Sequence, residues 1–116
     1  STPNHKALIM GFTFKENCPD VRNTRVVDIY SELQNFGVET QIYDPFADKE
    51  QVKKEYGIDI QNSLQDLGGF GGVIVAVAHD VFKEMSVDKI KDLCGENCII
   101  FDVKSIFPNS QVDARL

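Results

Sequence analysis

The sequence has 116 residues, 42% of them hydrophobic, and sets 18 acids against 12 lysines and arginines for a formal net charge of −6. That is material for one small domain, residues 1–116, with a single core. It excludes a dinucleotide-binding domain and a separate substrate domain side by side, which together need on the order of 250 residues. The acidic balance and the lack of an extended Lys/Arg run also argue against a nucleic-acid groove or a membrane-surface patch, both of which attract through clustered positive charge. The longest apolar run, Val73 to Ala78, is far short of a membrane span, and no basic segment followed by an apolar one opens the chain.

The chain opens at Ser1 without an initiator Met, and apolar periodicity begins almost at once, so a piece of a longer polypeptide is expected. Lys6 to Gly11 reads as a buried strand, because a near-continuous apolar run ending at Gly suits the centre of a parallel sheet. Arg25 to Phe36 carries Val26, Val27, Ile29, Tyr30, Leu33 and Phe36 at helical spacing, with Asn23 or Thr24 as N-cap and Gly37 as stop. Glu39 to Tyr43 alternates into Asp44-Pro45, where the proline ends a second strand. Asp48 to Tyr56 predicts a polar amphipathic helix stopped by Gly57. A short strand over Asp59 to Gln61 and a short helix over Ser63 to Leu67 follow. Val73 to Ala78 reads as a central strand, Val81 to Met85 and Val87 to Cys94 as short helices, and Cys98 to Val103 as the last strand.

Alternating strands and helices of this kind predict an α/β domain, a doubly wound parallel sheet of Rossmann-like type. Ligands of such sheets sit beyond the carboxyl ends of the strands, which places Gly11 to Thr24, Asp44 to Ala47, His79 to Phe82 and Val103 to Pro108 along one edge. A dinucleotide site needs a Gly-x-Gly-x-x-Gly turn straight after the first strand. Only Gly11 stands there, so NAD is not expected on this domain. Gly68 to Gly72 precedes a strand instead of following one and reads as a connector, and Asp44 reads as a turn cap ahead of Pro45. The loop Phe12 to Thr24 is longer than the 2–6 residues usual for a strand-to-helix link and, with the residue after it, gathers Lys15, Arg22 and Arg25 before a helix N-terminus. That suits a phosphate; the same residues also describe a solvated loop ordered by Asp20 with Arg22 or Arg25.

The segments Gly11-Phe-Thr-Phe-Lys-Glu-Asn-Cys-Pro-Asp-Val-Arg-Asn-Thr24, Tyr43-Asp44-Pro45, Val77-Ala-His-Asp80 and Phe101-Asp-Val-Lys104, in this order, resemble the C-terminal domain of the UDP-glucose/GDP-mannose dehydrogenase family. The likeness covers essentially the whole chain, and its first and last segments look most like the branch that oxidises UDP-N-acetylhexosamines for surface polysaccharides. The resemblance implies an NAD-dependent, four-electron oxidation of the sugar C6 alcohol to a carboxylate through a cysteine-bound thiohemiacetal and thioester. It also implies a division of labour. NAD and the nucleophilic cysteine belong to a preceding portion, a helix joining the halves carries the contacts of a homodimer, and this domain closes the cleft over the nucleotide half of a UDP-sugar. The domain by itself is then inactive, and its partners are the UDP-sugar and the rest of its own polypeptide. By motif position Phe14 and Lys15 fall on the family's substrate-contacting pair. Lys104 falls near a position where the UDP-glucose branch has paired arginines, without the planar fork of an Arg. Asp20 and Arg22 are expected to order the loop or to touch substrate.

Cys18 lies among cations near a helix N-terminus, surroundings that can activate a thiol, yet the family's nucleophile lies outside this domain, so Cys18 is not expected to be catalytic. Cys94 and Cys98 flank a Gly-Glu-Asn turn with no further ligand for a metal and are expected as core or turn thiols. Three cysteines do not make a disulfide framework, which points to a reducing cytoplasm. His79 at a strand end reads as a polar cap, with lining of the cleft or of a domain interface as the alternative. Two readings compete with a dehydrogenase domain. A signalling receiver module would share the size and a Lys after its last strand, but it needs an acidic pair where Gly11-Phe12 stands. A free-standing nucleotide-binding module is the other.

Overall fold

The computed structural model describes residues 5–115. In chain order it contains β1 (Lys6–Met10), α1 (Val26–Asn35), β2 (Glu39–Tyr43), α2 (Lys49–Tyr56), β3 (Phe70–Val75), α3 (Asp80–Glu84), α4 (Val87–Lys91), β4 (Cys94–Asp102), a 3-10 turn (Asn109–Gln111) and β5 (Ala114–Arg115). The strands form one sheet in the order β2-β1-β3-β4-β5, every neighbour parallel. Ile9 stands opposite Ile42 on one side and Ile74 on the other, and Val73 opposite Ile100.

Both faces of the sheet are covered, which is why the strands read as apolar runs instead of alternating. Leu8, Met10, Val73 and Val75 face a core closed by Phe82 of α3 and by Val87 and Ile90 of α4. Ile9 and Ile42 face a second core closed by Val26 of α1 and Val52 of α2. The helix ends follow from local chemistry. The N-cap of α1 is Arg25, without a side-chain cap, and not Asn23 or Thr24 as expected; Thr24 Oγ1, one residue earlier, accepts from the Val26 N–H at 3.2 Å. At its end Gly37 (φ +78) donates to the Gln34 carbonyl and Val38 to that of Leu33, a paired closure that needs a left-handed residue. Asp48 accepts from Glu50 and Gln51 N–H at 3.0 and 3.2 Å to open α2.

Several local expectations are corrected. Ser63 to Leu67 forms turns, not a helix, and Asp59 to Gln61 supplies a single bridge from Gln61 to Tyr43, not a strand. β3 begins at Phe70 and ends at Val75, so the connector shrinks to Gly68-Gly69. Gly72, read as part of that connector, pairs with Ala7 and Ile99 inside the ladder. β4 begins at Cys94 because Cys94 pairs with Phe70; the chain then bulges outward and re-enters register at Ile99 opposite Gly72. The bulge brings the Cα atoms of Cys94 and Cys98 to 5.5 Å, and their sulfurs are bonded, so these residues are not the free thiols expected. β5 and the 3-10 turn before it had no hydrophobic pattern to announce them.

Gly11 is the glycine the fold depends on most. Its φ is +99, its N–H donates to the Tyr43 carbonyl at 2.8 Å, and a Cβ there would lie 2.6 Å from Val77 Cβ and 3.0 Å from the Val77 nitrogen. Gly37 shares a positive φ but has open space around it. Gly11→Ala is therefore expected to cost at least about 2 kcal/mol in urea unfolding, and Gly37→Ala about 1 kcal/mol. Equal losses would show that the contact with Val77 carries no weight.

Candidate functional site

From β1 the chain crosses one way to β2, then returns past β1 to β3. The loops leaving β1 and β3 therefore diverge, opening a crevice at their carboxyl ends where doubly wound sheets hold ligands. A cavity of about 250 Å³ lies there, lined by Phe14, Lys15 and Glu16 of the first loop, Arg25 at the start of α1, Val77 after β3 and Lys104 after β4. A larger cavity, about 490 Å³, lies against the bulge of β4, and among the described residues Lys91 is the only cation lining it.

Phe14, Lys15 and Lys104 are thus brought together, as their spacing alone did not require. Phe14 remains 55% exposed although it is a large apolar side chain. Among the described residues the ion pairs are Arg22–Asp20, Lys53–Asp59, His79–Asp44 and Lys83–Asp80, and none of Lys15, Arg25 or Lys104 enters one. Three cations outside any such ion pair line this crevice against one acid, Glu16, and Lys15 also acts on Asp20 through its charge; the balance in an acidic chain is a locally positive field that draws an anion. Among the described residues no cluster of His, Cys, Asp or Glu could hold a metal ion.

Asp20 and Arg22 lie outside that cavity. Arg22 donates from Nε at 3.1 Å and from its backbone N–H at 2.9 Å to Asp20 Oδ1. The Arg22 side chain, followed by its backbone N–H, holds the Asp20 carboxyl below its ordinary value. The Asp20 carbonyl accepts from the Phe14 N–H at 2.8 Å, and Tyr56 donates its hydroxyl proton to the Val21 carbonyl at 2.6 Å. The first bonds close the loop on itself, and the Tyr56 hydroxyl ties it to α2. Cys18, a free and partly exposed thiol, borders a separate recess with Asp20, Arg22, Asp48 and Gln51.

Beneath the crevice lies a polar network that the sequence did not disclose. Asp44, fully buried at the end of β2, accepts through Oδ2 from the Phe12 and Thr13 N–H groups at 2.7 and 3.2 Å. Oδ1 accepts from Phe46 and Ala47 at 2.8 and 3.1 Å, which is the turn cap expected ahead of Pro45. His79, also fully buried, contacts Asp44 Oδ2 through Nε2 at 3.0 Å. It is no simple cap, since the His79 side chain makes no capping bond to α3. Asp102 plays a parallel part at the end of β4, accepting from Ile106 and Phe107 at 3.1 and 2.9 Å across the turn that carries Lys104. The signal for these roles was an acid closing a strand, in Asp44-Pro45 and Asp102-Val-Lys104. Without the fold it could not be told from an ordinary turn residue. Arg25 was legible only as one cation of the loop; the start of α1 is what turns it toward Lys15 and Lys104.

Residues 8–109 match the family model described as "UDP-glucose/GDP-mannose dehydrogenase family, UDP binding domain". The chain is 43% identical, over 94% of its length, to the UDP-N-acetyl-D-glucosamine 6-dehydrogenase of Salmonella typhi. It is 40% identical over 96% of its length to the enzyme of the same name from Pseudomonas aeruginosa. It spans only about a quarter of these relatives, 25% and 26% of their lengths. Its fold is similar to that of a UDP-D-ManNAc dehydrogenase from Pyrococcus horikoshii, with a TM-score of 0.75 at 21% identity over 97% of this chain and 25% of that one.

The Asp44 carboxyl has an acid-side consequence. Burial alone raises its pKa, but the His79 hydrogen bond and the Phe12 and Phe46 N–H groups outweigh it and hold the group below its ordinary 3.8. A carboxyl depressed by folding stabilises the native state above the unfolded value, and that contribution is lost as pH falls below 3.8 through the lowered native value. Asp44→Asn, which turns an amide toward buried donors, is expected to cost about 3 kcal/mol at pH 7 in urea unfolding. The gap to the unsubstituted protein should narrow as the pH falls below 3.8. A gap that stays constant with pH would show that the charge contributes nothing.

Proposed function

The chain belongs to the UDP-glucose/GDP-mannose dehydrogenase family, matching its UDP-binding domain, and from that premise we propose that it is the C-terminal, nucleotide-holding domain of a longer NAD-dependent dehydrogenase. The substrate class is a UDP-N-acetylhexosamine, the class that includes the UDP-N-acetyl-D-glucosamine named for both bacterial relatives, its C6 alcohol being oxidised to a carboxylate for surface polysaccharide synthesis. The observation that carries the reading is the meeting of three unpaired cations with the exposed Phe14 at the switch point of the sheet. Lys15 and Lys104 act as point charges on the diphosphate from two strand ends, Arg25 adds a planar fork from the start of α1, and Phe14 forms a wall for the nucleoside.

The turn after β1 does not fit NAD. Only Gly11 stands in that turn, closely packed against Val77, and the loop from Phe12 to Thr24 separates it from α1, so the short glycine turn that would carry a dinucleotide pyrophosphate straight from β1 onto a helix N-terminus is lacking. NAD and the nucleophilic cysteine are assigned to the remainder of the polypeptide, in a cytoplasmic homodimer that engages neither nucleic acid nor membrane. Among the described residues no helix is long and apolar enough to cross a bilayer. The 116-residue chain alone is expected to produce no NADH from UDP-sugars. A free-standing nucleotide-binding module is the second reading, and a coding frame with no dinucleotide-binding domain ahead of Ser1 would favour it.

In the full-length enzyme Lys15→Ala should lower kcat/KM ten- to hundredfold, since a hydrogen bond to a charged group contributes about 1.5–3 kcal/mol. Lys104→Ala should cost less. A loss of ground-state binding appears in KM, whereas a loss of positioning at the reacting carbon appears in kcat as well. Unchanged kcat/KM in both variants at low ionic strength would remove the crevice from the substrate site. Cys18→Ser should leave turnover within about tenfold, or roughly 1.4 kcal/mol of barrier; a thioester trapped on Cys18 by mass spectrometry would reverse that assignment.

A further inference from the structure

We propose that His79 is a positioning residue for the nucleotide, fixing through Asp44, Thr13 and Asn17 the loop that presents Phe14 and Lys15. The inference rests on the reading of the crevice as the UDP site and concerns how that site is held in shape. His79 Nδ1 accepts from the Asn17 backbone N–H at 2.9 Å, so the ring proton sits on Nε2. Nε2 then donates to Asp44 Oδ2 at 3.0 Å, with Thr13 Oγ1 a second acceptor at 3.3 Å. The Thr13 hydroxyl in turn donates a hydrogen bond to the Lys15 carbonyl at 2.9 Å.

The loop is gripped from the far side as well. Asn17 Oδ1 accepts from the Asp80 N–H at 2.9 Å and so caps α3, whose own preceding residue, His79, offers no side-chain cap. Asn17 adopts a left-handed φ of +58 to present both its N–H and its amide oxygen toward β3 and α3. The imidazole is walled by the rings of Phe46 and Phe82, with centroids 4.7 and 5.1 Å away. Burying a polar ring in such a wall is costly unless every polar atom is matched, and here both nitrogens are. The bonds end on residues 13, 15 and 17, on both sides of Lys15. An exposed lysine on a flexible stem binds an anion more weakly when its backbone must be ordered at the moment of binding, so a pre-set loop raises affinity.

Two variants in the full-length enzyme separate positioning from mere stability. His79→Gln can set an amide N–H at the Nε2 position for Asp44 but has no acceptor at the Nδ1 position that Asn17 uses. Thr13→Val removes only the hydroxyl that joins the imidazole to the Lys15 carbonyl. Each should raise KM for the UDP-sugar about tenfold, with kcat within about threefold. On a Lys15→Ala background each should change KM by less than twofold, because the group being positioned is gone. If His79→Gln does not fold, Thr13→Val decides alone. An unchanged KM, a loss confined to kcat, or a tenfold loss that persists on the Lys15→Ala background would overturn the proposal. Should Lys15→Ala leave kcat/KM unchanged the positioning role falls, and if Lys104→Ala is unchanged too the UDP reading of the crevice falls with it; should Lys15→Ala cost tenfold or more while the paired losses are additive, only the positioning role falls.

Discussion

A carboxylate with no exposed surface organises one edge of this domain. Asp44 takes hydrogen bonds from four backbone N–H groups and one imidazole, and no lysine or arginine pairs with it among the described residues. An unmatched buried charge is prohibitive, so the loops have little choice of conformation: they must aim their N–H groups at that position or unfold the end of the sheet. The donors come from the loop after β1, from the turn after β2 and from the segment after β3. Three segments distant in sequence are thereby locked by one side chain.

Asp102 repeats the principle on a smaller scale. Its two oxygens accept from Ile106 and Phe107, and Ser105, just before these donors, takes a left-handed φ of +55. The turn so formed holds the backbone of Lys104 while leaving its side chain exposed at the crevice. Rigid backbone under mobile, charged tips is a common arrangement where a scaffold must recognise a polyanion. The pairing of Asp20 with Arg22 differs. Both lie at the surface, and they stiffen the loop only locally.

How much of this was legible depended on whether the signal was local. The helix over Val26 to Asn35 and the strand over Glu39 to Tyr43 were readable because apolar spacing and Gly37 or Pro45 report on their own neighbourhood. The placement of Phe14, Lys15 and Lys104 was carried by motif resemblance, and their convergence with Arg25 required the strand order. The His79 contacts span more than sixty residues to Asn17 and Thr13, a separation no periodicity records. Gly72 misled because strand propensity weighs side chains, whereas its place in β3 is set by backbone pairing with Ala7 and Ile99 on neighbouring strands. The bulge of β4 misled in the opposite sense: Gly95-Glu-Asn97 looks like a turn outside a strand but is a turn inside one.

The strand order also acts as a ruler. β3 lies between β1 and β4, so the loops bearing Lys15 and Lys104 leave the sheet two strand spacings apart, about 9.6 Å at the usual interval. Hydrogen bonds in the ladder set that interval, and no substitution in either loop alters it. Any tuning of the grip across the crevice between these two positions must come from the reach of the side chains themselves. Exchanging a lysine for an arginine at position 104 would then alter both span and fork geometry on one bank while the other stays put.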